Sequence, residues 1–113
     1  MTFAVPVAEA ELTVDGPDLS SVIAGNPVTS SLVLAESDSG ERGIWQITPG
    51  TVTDVEADEM FVVISGRATI AVEGGPVFNV GPGDVCILSE GDRTTWTVHE
   101  TLRKVYQISS TAG

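Results

Sequence analysis

From Ser30 onward, short runs of apolar and β-branched residues alternate with glycine-centred breaks at Gly40, Gly50, Gly66, Gly74-Gly75-Pro76, Gly81-Pro82-Gly83-Asp84 and Glu90-Gly91-Asp92. Closely spaced short strands with turn chemistry between them are the mark of an all-β sandwich or barrel. The runs predict strands over 30–36, 42–48, 59–65, 67–73, 76–80, 85–88, 94–100 and 103–109, and no helix of useful length. Alternation puts Glu59, Phe61 and Val63 on one face of the third strand and Met60, Val62 and Ile64 on the other. Both faces are largely apolar, so the second also needs a cover. A partner subunit or the N-terminal segment would supply it, and a homodimer is the expectation.

Residues 1–27 are interrupted by Pro6, Gly16, Pro17, Gly25 and Pro27 and hold no sustained period. They read as an N-terminal arm packed on a barrel formed by residues 28–113, with Phe3, Val5, Val7, Leu12, Val22 and Ile23 as its apolar contacts.

The spacing within residues 50–66 and 81–98 resembles the two paired motifs of the cupin superfamily, small jelly-roll barrels whose site lies inside the barrel. Glu59 is separated from Gly66 by six residues, where the family has its glutamate, and Gly83-Asp84, Gly91 and Thr94 fit the second motif, with Ser89 in place of its proline. The histidine pair of the first motif falls on Val52 and Asp54, or on Thr53 and Val55, and the histidine of the second falls on Thr94. Glu59 alone keeps its place, with Asp54 a second candidate oxygen ligand. Two carboxylates do not make a first-row metal site, so the resemblance implies a metal-free interior and no cofactor. Gly43-Ile44-Trp45-Gln46-Ile47-Thr48-Pro49-Gly50 and the segment from Trp96 to Tyr106 further resemble the ureidoglycine-aminohydrolase-type branch, which includes the ethanolamine-utilisation accessory cupin.

With Thr94, Trp96 and Val98 pointing inward, the family frame brings Thr94 and Trp96 to Glu59. Phe61, Trp45 and Tyr106 complete the expected ligand pocket, mostly apolar with a few oriented polar groups. Glu59 is the candidate acid/base, or a carboxylate anchor for a cationic ligand. Its structural alternative is a glutamate bonded to Tyr106, Thr94 or a backbone amide. His99, the one histidine, has the opposite parity to Thr94 and Trp96 within the same numbering frame and reads as a surface or interface residue.

Composition narrows the functional classes. Sixteen acidic against five basic residues give a formal charge of -11, which repels nucleic acid and anionic membranes. Eleven of the acids fall within residues 1–60, where Arg42 is the only base. The run Asp54, Glu56, Asp58, Glu59 reads as a solvated barrel rim. Cys86 lies in the apolar run Val85–Leu88 and reads as a core residue of a reducing compartment. No apolar stretch is long enough to span a bilayer, and no signal segment is evident, so a cytoplasmic location is expected. Two functions follow. One is a binding or accessory protein for an unidentified small molecule; the other is a metal-independent hydrolase or isomerase of a small nitrogenous or carbonyl metabolite using Glu59.

Overall fold

The computed structural model describes residues 1–110, so the last three residues of the barrel segment expected over 28–113 lie outside the described residues. The all-β, jelly-roll expectation holds. Among the described residues nine strands form one curled sheet: β1 (Thr13–Gly16), β2 (Val22–Gly25), β3 (Thr29–Ser37), β4 (Gly40–Ile47), β5 (Gly50–Val55), β6 (Glu59–Val72), β7 (Val77–Val80), β8 (Val85–Leu88) and β9 (Arg93–Ser109). The only helical pieces among the described residues are two short 3₁₀ turns, Val7–Glu9 and Leu19–Ser21.

β9 organises the sheet. On one side it pairs along β6; on the other, residues 102–109 pair with β4 and residues 93–98 with β5. Six of its even-numbered residues, Thr94, Trp96, Val98, Leu102, Lys104 and Tyr106, are buried, the period of two expected of a strand with one face on the core, while Glu100 is exposed and Ile108 half-buried. β6 supplies Glu59, Phe61, Val63, Ala68 and Ile70 to the same interior.

The strands expected over 59–65 and 67–73 are a single strand, and so are those over 94–100 and 103–109. Gly66 is a bulge rather than a turn. The buried parity of β6 changes from odd to even across it, and the register with β9 slips between Val63 and Ala68. Gly66 has φ +87°, and a Cβ there would lie 2.0 Å from the Thr101 carbonyl oxygen. Glycine at this point therefore marks close backbone approach.

Three strands have no counterpart in the sequence reading. β5 pairs with β9, and β1 and β2 add themselves to β3 and β5 from within residues 1–27. All three are short; β1 and β5 are rich in Thr, Asp and Gly, and β2 is Val-Ile-Ala-Gly. Val52 of β5 is the one buried core residue among them, so their place is set chiefly by backbone pairing rather than by an apolar face of their own. The rest of the N-terminal segment reaches the outer face of the sheet, where the Arg103 guanidinium donates to the Val7 carbonyl (2.6 Å) and the Ala10 carbonyl (3.0 Å), while its Nε donates to Gln46 Oε1 (3.0 Å). Ile44, of outward parity on β4, is fully buried. Arg103→Ala is expected to cost about 1–3 kcal/mol through these charged bonds and to speed amide exchange of residues 7–12 selectively. Uniform exchange across the chain would contradict that role.

Candidate functional site

The interior opens to a cavity of about 470 Å³ whose walls include Trp45, Val52, Asp54, Glu59, Trp96, Lys104, Tyr106 and Ile108 from strands β4, β5, β6 and β9 and Glu56 from the β5–β6 connection, with Asp15, Asp18 and Ser21 from the N-terminal segment. Of the six residues expected in the pocket, Glu59, Trp96, Trp45 and Tyr106 line it. Phe61 and Thr94 do not. Phe61 is 1% exposed and packs behind the wall, with its ring 5.6 Å from that of Trp96. Thr94 is also buried, with its hydroxyl turned to a neighbouring carboxylate rather than to open space.

Glu59 occupies the inward position that alternation gives it, yet its partner is neither Tyr106 nor Thr94. Lys104 Nζ lies 2.5 Å from Glu59 Oε2, and both side chains are almost wholly shielded from solvent. The ammonium also sits over three rings, 4.6 Å from the centroid of Trp45, 4.3 Å from Phe61 and 5.1 Å from Trp96. A buried ammonium needs such a carboxylate and such ring faces to offset its lost hydration. Trp45 and Trp96 meet edge to face at 5.7 Å and hold this wall rigid.

Glu56 is the second buried carboxyl. Its Oε2 accepts from Thr94 Oγ1 (2.6 Å) and from the Trp96 indole N–H (3.1 Å). Burial pushes its pKa above the ordinary glutamate value, and the adjacent Asp54 charge pushes the same way, against the Thr94 and Trp96 hydrogen bonds. Desolvation likewise raises Asp54, against a hydrogen bond from the Val55 amide (2.8 Å) and one shared with Glu56. The acidic run is therefore no solvated rim throughout. Glu56 and Glu59 are buried because they face partners on β9, and Asp58 accepts the Glu90 amide N–H across a turn (2.8 Å).

Further round the wall, the Tyr106 hydroxyl donates to Glu41 Oε2 (2.6 Å), and burial together with that carboxylate raises the phenol pKa. Gly43 makes room for the ring, since a Cβ there would fall 2.7 Å from the Tyr106 hydroxyl oxygen and 2.6 Å from the Leu32 carbonyl. Asp15 accepts from Thr29 Oγ1 (2.8 Å) and from Ser31 Oγ. His99 is exposed, with Nε2 2.9 Å from Thr69 Oγ1. Cys86 is buried, and desolvation pushes its thiol up to about 11, so it is a poor nucleophile at neutral pH.

The residues at the family's ligand positions do not fit a transition metal. Val52, Thr53, Val55 and Thr94 offer no imidazole, Thr94 is committed to Glu56, and an ammonium already sits on the Glu59 carboxylate. No group of three His, Cys, Asp or Glu suited to a metal occurs among the described residues.

Lys104, Glu56, Glu41, Asp15 and Asp18 were absent from the sequence-derived pocket. Lys104 was within reach of it, because it shares the parity of Leu102 and Tyr106 on one strand and is the only lysine in the chain.

No curated protein matches the sequence significantly. Among solved structures, a protein of unknown function from Pseudomonas syringae pv. tomato is 28% identical with a TM-score of 0.79, the alignment covering 88% of this chain and 45% of that one. This chain thus spans less than half of that protein. EutQ from Clostridium difficile superposes with a TM-score of 0.75 at 15% identity, over 97% of this chain and 88% of its own. A protein of unknown function from Acidithiobacillus ferrooxidans is 25% identical, with a TM-score of 0.58 and coverages of 85% and 92%. The model of the EutQ-like cupin domain matches residues 34–106, which takes in Trp96, Lys104 and Tyr106 of β9 as well as Glu56 and Glu59, and the chain belongs to that family.

Proposed function

We propose that this protein binds a small cationic or amine-bearing metabolite in its acidic cavity, as a binding or accessory cupin that works without a transition metal. One observation carries the reading. Six carboxylates, Asp15, Asp18, Glu41, Asp54, Glu56 and Glu59, line the cavity against the single ammonium of Lys104 among the described residues. Glu59 is neutralised by that ammonium, whereas the raised Asp54 and Glu56 carboxyls have lost solvation that an incoming cation would replace. The same reading treats residues 1–27 as an arm that completes the wall, through Asp15, Asp18 and Ser21.

A screen of aliphatic amines and diamines, ureides and sugar acids by thermal shift tests this directly. Amines should raise the melting temperature, by an amount equivalent to about 2.7 kcal/mol at a hundredfold excess over Kd. Glu56→Gln should weaken that binding about tenfold, the loss of one close charge interaction. Stabilisation by sugar acids and not by amines would refute the proposal. Hydrolysis or isomerisation with Glu59 as base is the weaker reading, since Glu59 would first have to leave a buried ion pair.

The homodimer belongs to the same proposal. Met60 pairs with Ile87 and Val62 with Val85 on the outer side of β6 and β8, where Met60, Val85 and Ile87 are 48%, 59% and 68% exposed. A contiguous apolar strip of this kind favours a self-complementary contact. Light scattering at micromolar concentration should give twice the chain mass, and Ile87→Lys should shift it to the monomer. A monomer mass for the unaltered protein would remove the dimer.

A further inference from the structure

Lys104 is the only lysine of the sequence, and the fold places it inside the site rather than in solvent. Three aromatic faces surround its Nζ at 4.3–5.1 Å, and the Glu59 carboxylate closes the remaining side. Aromatic faces arranged around one cation and closed by a carboxylate are the means by which proteins recognise alkylammonium ligands. Here the occupant is tethered to the cage through its own backbone. Trp45, Trp96, Glu59 and Lys104 all border the open cavity, so the cage communicates with it. A displaced Lys104 ammonium would find counter-charges at once, because Glu41, Asp54 and Glu56 face the same space.

We propose that the cage of Trp45, Phe61, Trp96 and Glu59 is an alkylammonium-binding site that Lys104 fills in the free protein and that the ammonium of a ligand takes over on binding. This rests on the cavity being a cation site and adds how its affinity is set. The ligand competes with a side chain of the same protein, so its apparent affinity is reduced by the fraction of cages that Lys104 leaves vacant. A lysine suits that role better than an arginine, since its compact ammonium on a flexible four-carbon stem can swing out of the cage without carrying a planar fork past the rings.

Lys104→Ala removes the occupant and leaves the cage standing. By calorimetry near neutral pH, this variant should bind n-propylammonium about tenfold or more tightly than the unaltered protein does. Its melting temperature should rise with n-propylammonium and stay unchanged with n-propanol, which has the same length and no charge. Equal affinity of the two proteins, or an equal response to the alcohol, overturns the proposal.

The unaltered protein decides the matter if Lys104→Ala does not fold. Formaldehyde with cyanoborohydride methylates free amines, and with a single lysine present, mass spectrometry of the digest reads Lys104 apart from the N-terminus. Tetramethylammonium chloride, which has no reactive N–H, should accelerate methylation of Lys104 relative to sodium chloride at the same concentration. An unchanged or slower rate overturns the proposal. If Glu56→Gln weakens amine binding but Lys104→Ala gains none, the cage falls and the cavity reading stands. If amines bind neither the unaltered protein nor the alanine variant, both fall.

Discussion

Lys104→Met is expected to destabilise the protein by about 3–5 kcal/mol, while the double change Lys104→Met with Glu59→Leu should recover most of that loss. The asymmetry follows from where the pair lies. Lys104 is 6% exposed and Glu59 9%, so removing the ammonium leaves a desolvated carboxylate with its main partner gone. The three ring contacts are forfeited too, each worth on the order of 0.5–2 kcal/mol. The thioether of methionine fills the volume and restores part of the packing but none of the charge. Exchanging both partners for apolar groups removes the stranded charge along with the bond that had held it. Urea denaturation at constant slope reads the difference as a shift in midpoint. Additive losses in the double variant would show that the pair is not an energetic unit.

The same pair shows how far the sequence reached and where it stopped. Alternation from Glu59 through Phe61 and Val63, and from Thr94 through Trp96 and Val98, assigned the inward faces of β6 and β9 as the structure has them. That was enough to bring Glu59 and Trp96 to one cavity, with Trp45 and Tyr106 beside them. Period fails where the backbone departs from it. Gly66 was indistinguishable from a turn glycine until its close approach to Thr101 was visible, so one bulged strand read as two.

Charge was misread for a related reason. A run of acids beside a loop usually means solvent, and nothing in residues 54–59 separates Asp58, which serves a turn, from Glu56, which meets Thr94 and Trp96 from a strand nearly forty positions later. Burial of a polar residue is a property of its distant partners. Lys104 was missed as well, although its parity with Leu102 and Tyr106 was a local signal that pointed it inward. Cys86 was read as core from its apolar run and is buried, although alternation leaves its neighbours Val85 and Ile87 exposed on the other face.

Glu56 gives the second large expected effect, and its two substitutions should separate hydrogen bonding from charge. Glu56→Leu removes the acceptor of two buried donors, Thr94 Oγ1 and Trp96 Nε1, at about 1–3 kcal/mol for each donor left unpaired. Glu56→Gln keeps an oxygen for both donors and removes only the charge, so near neutral pH it should cost little or even stabilise. The pH dependence fixes the sign. The folded-state pKa of Glu56 lies above its ordinary value of 4.5, chiefly through burial, so the folded state holds the proton more tightly than the unfolded chain does. That contribution to stability is fully present below 4.5 and is lost as pH rises through the folded-state value. Asp54, raised by desolvation, acts in the same direction. The unaltered protein should therefore gain stability as the pH falls from neutral toward 4.5, and Glu56→Gln should flatten that slope while leaving the Asp54 component. Melting temperatures of the three proteins across this range decide it. A slope in Glu56→Gln equal to that of the unaltered protein would mean that the proton resides elsewhere, and a glutamine variant as unstable as the leucine one would mean that the carboxylate charge itself holds Thr94 and Trp96 in place.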